Sequence, residues 1–332
     1  MIVSKFTKWA DMSEDERAAA KERRENEIAR LRELLVEGAA KVEGAGGYVE
    51  WLDTAISFYH YSANNQMLIG LQTGWTATLV ASFKQWKKYG RKVRKGEKAI
   101  KILAPINVHY WRDGEGNRYG AREDHPADAE EVNFMAFKAV PVFDIAQTEG
   151  EPLEVVRRRV YAERGGGWPL LGSMDDRGVY EALTRLAAHY GIPVEETLIR
   201  GTARGRAVAE MHMSLDGETK RKMRIEIDRH MSLADKAKTM AHEVGHVVCG
   251  HLGERDGVVC RELKELEAES VAYIIAGMFG LDSGDQSFSY VARWSDFDTS
   301  KIAGVQDAVT RAVRQIMDDL AMVTGAGVAM AA

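Results

Sequence analysis

The sequence KTMAHEVGHVVCGH occupies Lys238–His251 and contains the strongest motif in the chain. The motif is the pattern His-Glu-x-x-His, formed by His242, Glu243 and His246. Ser232 is a suitable N-cap for a helix that carries it. Histidines four residues apart lie on one helix face, so both imidazoles can bind one Zn²⁺. Glu243 falls beside them, where it can accept a proton from a water molecule at the metal.

A catalytic zinc site needs a third protein ligand and an open position. The next predicted helix reads RELKELEAES, and in it Glu265 and Glu269 are four residues apart on one face. We predict Glu265 as the third ligand and Glu269 as the group that orients a ligating histidine; the alternative is Glu269 as the ligand. Glu262 and Glu267 are expected to be solvated. Two histidines and a carboxylate suit Zn²⁺, and Mn²⁺ or another divalent ion also fits.

The segments that flank the motif add three expectations. Lys222–Asp228 alternates apolar and polar residues and is similar to the edge strand that zincins place over the metal-site helix. Cys249 is favoured as a small buried core residue rather than a soft ligand. His251 follows the end of the helix, where the helix dipole favours a positive imidazolium, and it is not assigned as a ligand.

A second distinctive stretch, SFKQWKKYGRKVRKGEKAIK, occupies Ser82–Lys101 and has nine Lys or Arg residues against one acid, Glu97. Phe83, Trp86 and Tyr89 recur at every third position. Cations that neutralise phosphates and rings that stack on bases are typical of binding to single strands without sequence preference. For Phe83 and Trp86, burial in the protein core is favoured over stacking on a base. The candidate DNA contacts here are Trp86, Lys87, Lys88, Arg91, Lys92, Arg94, Lys95 and Lys98.

The overall composition excludes some classes of protein. The chain of 332 residues has a formal net charge of −5, which argues against a uniformly basic nucleic-acid coat protein. Residues 1–150 nevertheless hold 22 basic and 22 acidic side chains, so the acidic excess lies in the remainder. Two cysteines exclude a disulfide scaffold and favour a reducing compartment. No apolar stretch reaches the roughly 18–20 residues of a membrane span, and we expect a cytoplasmic protein without a membrane partner.

The order of predicted elements indicates an α+β fold with two domains. Residues 1–150 are predicted to form a mixed α+β domain that binds single-stranded DNA. Residues 151–172 contain two prolines, an arginine triplet and three consecutive glycines, and are predicted to be a linker. Residues 173–332 are predicted to form a metallopeptidase-like domain around the His-Glu-x-x-His helix.

Several long stretches resemble ArdC-type antirestriction proteins. In the first half these are YSANNQMLIGLQ (Tyr61–Gln72), GRKVRKGEKAIKILAP (Gly90–Pro105) and AVPVFDIAQTEGEPL (Ala139–Leu153). KTMAHEVGHVVCGH and ELEAESVAYIIAGMFGLD are similar to the metallopeptidase domain that accompanies them, and the resemblance covers roughly residues 30–290. It implies a domain that binds single-stranded DNA non-specifically, joined to a zincin-like metallopeptidase domain. Proteins of this family are carried by plasmids and phages and protect incoming DNA from host restriction.

The resemblance also carries residue roles to this chain. It implies a metal site at His242, His246 and an acidic residue of ELEAE, with Glu243 as the catalytic glutamate. In the DNA-binding domain it points to the turn region at Asn64 and Asn65 and to the segment GRKVRKGEK. Residues 201–219 and 287–298 receive no role.

Three functional hypotheses follow. The first is an antirestriction-type protein that binds single-stranded DNA and carries a metal-dependent peptidase site, whose activity need not be essential. The alternative is an active zinc metallopeptidase that cleaves DNA-associated proteins or peptides, with the basic domain serving only for targeting. The third is a toxin-linked or regulatory interaction module with a folded zinc site.

Overall fold

The computed structural model describes residues 12–42, 45–120, 124–151, 176–201, 203–213, 219–253, 259–281 and 299–325. Helices account for 53% and strands for 24% of these described residues, which confirms the predicted α+β class. Contacts divide the chain into two compact units, the first comprising Met1–Glu37 and Val80–Gly150 and the second Gly38–Leu79 and Glu151–Ala332. The predicted linker lies outside the described residues except for Glu151.

The secondary structure within the described ranges consists of helices and short sheets. The helices are α1 (Glu14–Val42), α2 (Ala45–Phe58), α3 (Ala63–Thr73), α4 (Phe83–Lys88), α5 (Asp176–His189), α6 (Leu233–Val248), α7 (Arg261–Phe279) and α8 (Thr299–Thr324). The strands are β1 (Val80–Ala81), β2 (Arg91–Val93), β3 (Ile100–Arg112), β4 (Arg118–Gly120), β5 (Glu130–Asp144), β6 (Thr148–Gly150), β7 (Val194–Thr197), β8 (Gly205–Met213) and β9 (Thr219–Asp228). None of the described helices has the length and apolar character that crossing a membrane requires.

The first unit is organised around the long antiparallel pair β3 and β5. These strands form a four-stranded sheet in the order β1-β5-β3-β4, and β2 pairs with β6 in a separate two-stranded sheet. The core at the base of the sheet contains the buried side chains of Ile100, Ile102 and Val142. Trp86 of α4 is fully buried, and its indole N–H donates to the carbonyl of Phe143 at 2.8 Å. This bond anchors α4, and with it the start of the basic stretch, on the sheet.

Among the described residues, the second unit packs six helices and a three-stranded sheet around an apolar core. The sheet has the order β7-β9-β8, with β7 parallel and β8 antiparallel to β9. Helix α7 is central, since it contacts α2, α6 and α8. Two side-chain hydrogen bonds between residues far apart in the sequence hold α2 against α7. They join Tyr48 to Ser270 at 2.8 Å and Tyr273 to Asp53 at 2.7 Å. Residues 38–79 therefore group with the second unit, whereas the sequence-based limits assign them to the first domain.

The prediction that Lys222–Asp228 forms an edge strand was wrong. These residues belong to β9, which is the central strand because it pairs with both β7 and β8. The alternation of apolar and polar residues also predicts a half-buried strand, and this holds only in part. Ile225 and Ile227 are fully buried, but Glu226 between them is 5% exposed and pairs with Arg206 and Arg224. Alternation reveals neither how many neighbours a strand has nor whether a charge on its polar face is compensated. The edge strand that contacts α6 is β8 (Gly205–Met213).

Candidate functional site

Helix α6 positions the first two site residues. It begins after Ser232, whose hydroxyl accepts a hydrogen bond from the Asp235 N–H at 3.1 Å, as the N-cap prediction required. Met240 and Val244 are buried and fix one face of the helix in the core. The two histidines of the motif lie on a different face, towards α7.

Three donor atoms converge between α6 and α7. The Nε2 atoms of His242 and His246 are 3.1 Å apart, and Oε2 of Glu265 lies 3.5 and 3.6 Å from them. The ligands of a tetrahedral zinc bonded at about 2.0–2.1 Å are separated by about 3.3 Å, so this set has the spacing that one small divalent cation requires. The three side chains remain partly exposed, between 13% and 27%, which leaves access from solvent.

The predicted helper residue also lies at the site. Oε2 of Glu269 is 3.1 Å from Nδ1 of His242, the ring nitrogen that does not face the other donors. A carboxylate in this position holds the ring orientation and the tautomer of a ligating histidine. Glu265 thus lies beside Nε2 of His242, and Glu269 lies beside Nδ1 of the same ring.

Close packing of the two helices makes this convergence possible. A Cβ atom at Gly245 would lie 3.1 Å from the carbonyl oxygen and 3.2 Å from the Cα of Ala268. Ala268 is itself fully buried. Glycine at the middle of the motif therefore allows α6 to approach the backbone of α7 and brings Glu265 within reach of both histidines.

Glu243 lies in a different environment from the metal-ligating candidates. Its side chain is 5% exposed, and its carboxylate accepts a hydrogen bond from the backbone N–H of Ala207 on β8. Burial raises the pKa of Glu243 above its ordinary value, with the charge of His242 opposing this effect. A raised pKa suits a carboxylate that must take up and release a proton near neutral pH.

The edge of β8 runs beside this carboxylate. A Cβ atom at Gly205 would lie 3.2 Å from Oε1 of Glu243 and would overlap the methyl group of Thr239. The Asp228 N–H donates to the carbonyl of Arg204, so the backbone groups of alternate residues from position 205 point away from β9. Ala207 is one of these outward-facing residues, and its N–H uses that direction to reach Glu243.

The charges of the donor set favour one positive charge at its centre. Burial alone would lower the pKa of His242, but hydrogen bonds to Glu265 and Glu269 outweigh it and raise the pKa to about 10. The same contacts with His242 and His246 hold the pKa of Glu265 well below its usual range. Burial lowers the pKa of His246. Without a metal, a protonated His242 that is hydrogen-bonded to Glu265 and Glu269 thus supplies the positive charge between these donor atoms. A divalent cation would supply it in the metal-bound protein.

The sequence analysis misjudged Glu267 and did not find the role of His251. Glu267 was expected to be solvated, but it is 2% exposed, as is His251. The expectation failed because a carboxylate on the rear face of α7 is compensated by a histidine, at 2.8 Å between Oε2 and Nε2. Cys249 is buried, as predicted. Glu267 is two residues from Glu265 and therefore projects about 200° away from it around the helix, a spacing that does not by itself identify a buried face.

The basic stretch forms an exposed surface of the first unit. Arg91 is half-buried and donates to the Thr148 hydroxyl at 2.8 Å, and Arg94 forms an ion pair with Glu97 at 2.6 Å. The exposed candidates in this stretch are Lys87, Lys88, Lys92, Arg94, Lys95 and Lys98. These positions leave several cations facing solvent on one unit.

Three of the predicted DNA contacts have positions that need comment. Trp86 does not stack on a base, contrary to the sequence-based prediction, because its ring is fully buried. Phe83 was also expected to be buried, and that expectation was wrong, since its side chain is 59% exposed at the start of a short surface helix. Asn64 and Asn65 lie at the start of α3 in the second unit, the former exposed and the latter 9% exposed. They are therefore not in the unit that carries the basic stretch.

Two family matches coincide with these features. Residues 8–143 match the family described as the N-terminal domain of anti-restriction factor ArdC. Residues 204–283 match the IrrE N-terminal-like domain of a peptidase family, M78. The chain joins an ArdC N-terminal domain to an IrrE-like domain. The ArdC domain contains the basic stretch and the IrrE-like domain contains His242, Glu243, His246 and Glu265, so the predicted family resemblance is confirmed.

Individual relatives have modest similarity to this ArdC-like chain. An uncharacterized protein of Bacillus anthracis, pXO2-81, is 25% identical over 255 residues, which cover 72% of this chain and 41% of that protein. The chain thus matches less than half the length of that relative. The metal-free crystal structure of ArdC from plasmid R388 is 18% identical, with coverage of 79% and 86% of the two chains and a TM-score of 0.44. The Mn(II)-bound structure of the same protein is 18% identical, with coverage of 88% and 98% and a TM-score of 0.48.

Proposed function

We propose that this protein is an antirestriction-type protein that binds single-stranded DNA through its ArdC domain and carries a metal-dependent peptidase site in its IrrE-like domain. The observation that carries the proposal is the convergence of His242, His246 and Glu265 at one point, within a domain that matches a peptidase family. The exposed cations of the ArdC domain support the DNA-binding part.

The resident metal in this proposal is a divalent ion held by the two histidines and Glu265. The donor set contains nitrogen and carboxylate oxygen, which suits Zn²⁺ and also accommodates Mn²⁺. When bound, the ion would polarise a peptide carbonyl and make a nearby water molecule more acidic. Glu269 would keep the ring of His242 in the orientation that directs Nε2 to the ion.

Glu243 is the proposed proton carrier of the peptidase reaction. Its buried carboxylate, with a raised pKa, would take a proton from the attacking water and deliver it to the amine of the leaving peptide. The outward-facing backbone groups of β8 beyond Ala207 would align an extended peptide by adding it as a further strand. The hydrogen bond from Ala207 would keep the Glu243 carboxylate at the end of that strand.

The ArdC domain would bind DNA mainly through its backbone phosphates. Lys87, Lys88, Lys92, Lys95 and Lys98 are exposed, and a lysine ammonium neutralises a phosphate without reading a base. Phe83, at the start of α4, is the proposed stacking residue because its ring is exposed beside these cations. Such an interface is tolerant of sequence and sensitive to salt.

The decisive experiment is Glu243→Gln, scored in parallel for single-stranded DNA binding and for protection of incoming DNA from restriction. We expect DNA binding and protection to persist, while cleavage of a peptide or protein substrate falls about 100-fold or more. Loss of protection with intact DNA binding would instead favour the alternative function, an active metallopeptidase that the basic domain delivers to DNA-associated proteins. Absence of DNA binding by the wild-type protein would overturn the proposal.

A further inference from the structure

Two buried side chains, Glu267 and His251, form a chain of hydrogen bonds from α7 to Nδ1 of His246. Oε2 of Glu267 is 2.8 Å from Nε2 of His251, and Nδ1 of His251 is 2.8 Å from Nδ1 of His246. The side chains of Glu267 and His251 are 2% and 1% exposed. The other nitrogen of His246, Nε2, is the one that faces His242 and Glu265.

The end of α6 places His251 in this position. The Gly250 N–H donates a hydrogen bond to the carbonyl of Val247, and the His251 N–H donates one to the carbonyl of His246. These two hydrogen bonds are the pattern of a Schellman motif. Gly250 has a φ of 75°, a left-handed conformation that glycine adopts without strain. The chain therefore reverses after the helix, and the ring of His251 returns to the ring of His246 five residues earlier.

The number of protons in this line is determined once a cation occupies the donor set. A cation at Nε2 of His246 leaves the proton of that neutral ring on Nδ1. Because this N–H points at Nδ1 of His251, the latter nitrogen must accept, and His251 carries its own proton on Nε2. That proton is then donated to the carboxylate of Glu267. Every donor has one acceptor, and no proton is left without a partner.

We propose that Glu267 and His251 form a relay that positions His246 for a divalent cation. This inference rests on the proposed metal site at His242, His246 and Glu265. Glu267 sets the tautomer of His251, and His251 in turn fixes the ring orientation and tautomer of His246. The Nδ1 atom of each ligating histidine then has a hydrogen-bond partner. For His242 it is the carboxylate of Glu269, and for His246 it is the ring of His251.

The same residues also suggest a rival arrangement, which the proton count excludes. Donor atoms of Cys249, His251 and Glu267 all lie within 4.8 Å of one another and are buried, so they could hold a second ion. An ion at Nε2 of His251 would move the proton of that ring to Nδ1, which would then donate to Nδ1 of His246. The proton of His246 would be forced onto Nε2, where it would exclude the first ion. The relay therefore predicts that only one of these two groups of described residues holds an ion.

The test compares Glu267→Gln with Glu267→Leu in the full chain, measuring Zn²⁺ affinity by chelator competition and stability without metal. The Gln amide oxygen can still accept the N–H of His251, so we expect a loss of a few-fold, against 10–100-fold for Leu. Glu262→Leu, an exposed site on the same helix, is the control and should bind as the wild type does. Equal, wild-type affinity in both Glu267 variants, with the fold intact, would overturn the relay.

A second measurement needs no substitution and covers the case in which the Leu variant fails to fold. The ¹⁵N shifts of the histidine side chains in the zinc-bound wild type should show His251 protonated on Nε2. Protonation on Nδ1, or zinc bound at Nε2 of His251, would overturn the relay. A wild-type chain that binds no divalent cation would instead contradict the metal site itself, so the two failures are distinguishable.

Discussion

Among single residues, His242 is the group whose protonation must change when a cation binds. Its pKa of about 10 means that the ring carries a proton across the neutral range, and this proton must leave for Nε2 to become a ligand. Between pH 7 and 9 we therefore expect Zn²⁺ affinity to rise about tenfold per pH unit, as one proton is released. Chelator competition at several pH values checks this, and a pH-independent affinity would contradict it.

The same pKa has a consequence for the stability of the metal-free protein. A pKa raised from 6.5 to about 10 contributes stability that is complete below pH 6.5 and is lost as pH rises towards 10. The depressed pKa of Glu265 acts in the opposite direction, since its contribution is lost on acidification. Urea unfolding of the chelated protein should therefore give a free energy that declines above neutral pH. His242→Gln, which cannot be charged, should show a flatter profile.

The residues of the site differ in how well the sequence identifies them. Spacing alone brings together His242 and His246, because both lie on one continuous helix. Glu265 requires the relative placement of two helices, which the helical period restricts but does not determine. Glu267 and His251 were missed because their burial depends on pairing with each other. A buried charge is predictable only when its partner is known.

Among the structural elements, the contact between α6 and α7 depends most on a single position. At Gly245 any side chain would press on the backbone of Ala268. We expect Gly245→Val to destabilise the protein by about 1–3 kcal/mol through overpacking and to weaken Zn²⁺ binding by separating Glu265 from the histidines. Denaturant unfolding and chelator competition measure the two effects.

Gly304 supplies the matched control for that substitution. It lies within α8, and no atom lies within 4 Å of the Cβ position there. Gly304→Val should leave the stability within about 0.5 kcal/mol of the wild type, because glycine and valine differ little in helix propensity. If Gly245→Val were as well tolerated as Gly304→Val, close packing of α6 on α7 would not be what brings Glu265 to the histidines.

The elements also show where sequence patterns stop being informative. Periodicity located the site helix and the strand Lys222–Asp228, but not the place of that strand in the sheet. Helix α2 packs on α7 through residues more than 200 positions apart, such as Tyr48 and Ser270. No local sequence pattern encodes such a pairing. The domain boundaries predicted from sequence therefore placed α2 in the first domain, residues 1–150, together with the strands that follow it. Long-range packing explains most of the difference between the predicted and observed organisation.

For the whole molecule, charge distribution is more informative than the net charge of −5. The basic stretch and the metal centre lie in different compact units. A substitution in one unit is therefore expected to leave the proposed activity of the other unaltered. Removing zinc with a chelator should lower the stability of the protein by about 2.7 kcal/mol relative to a free zinc concentration 100 times the Kd, without changing its affinity for DNA.

DNA binding by the full chain should weaken as the salt concentration rises. Substituting Lys92, Lys95 and Lys98 with Gln should weaken binding to any single-stranded sequence, since these exposed lysines would contact phosphates. The slope of log affinity against log salt should decrease by up to about 2, from roughly 0.7 per lost phosphate contact. Fluorescence titrations of labelled oligonucleotides at several salt concentrations provide the measurement. The charge-matched control is Lys21, Arg23 and Arg24 to Gln on α1, also exposed; equal effects of both triple variants would mean that net charge, and not the basic surface, determines affinity.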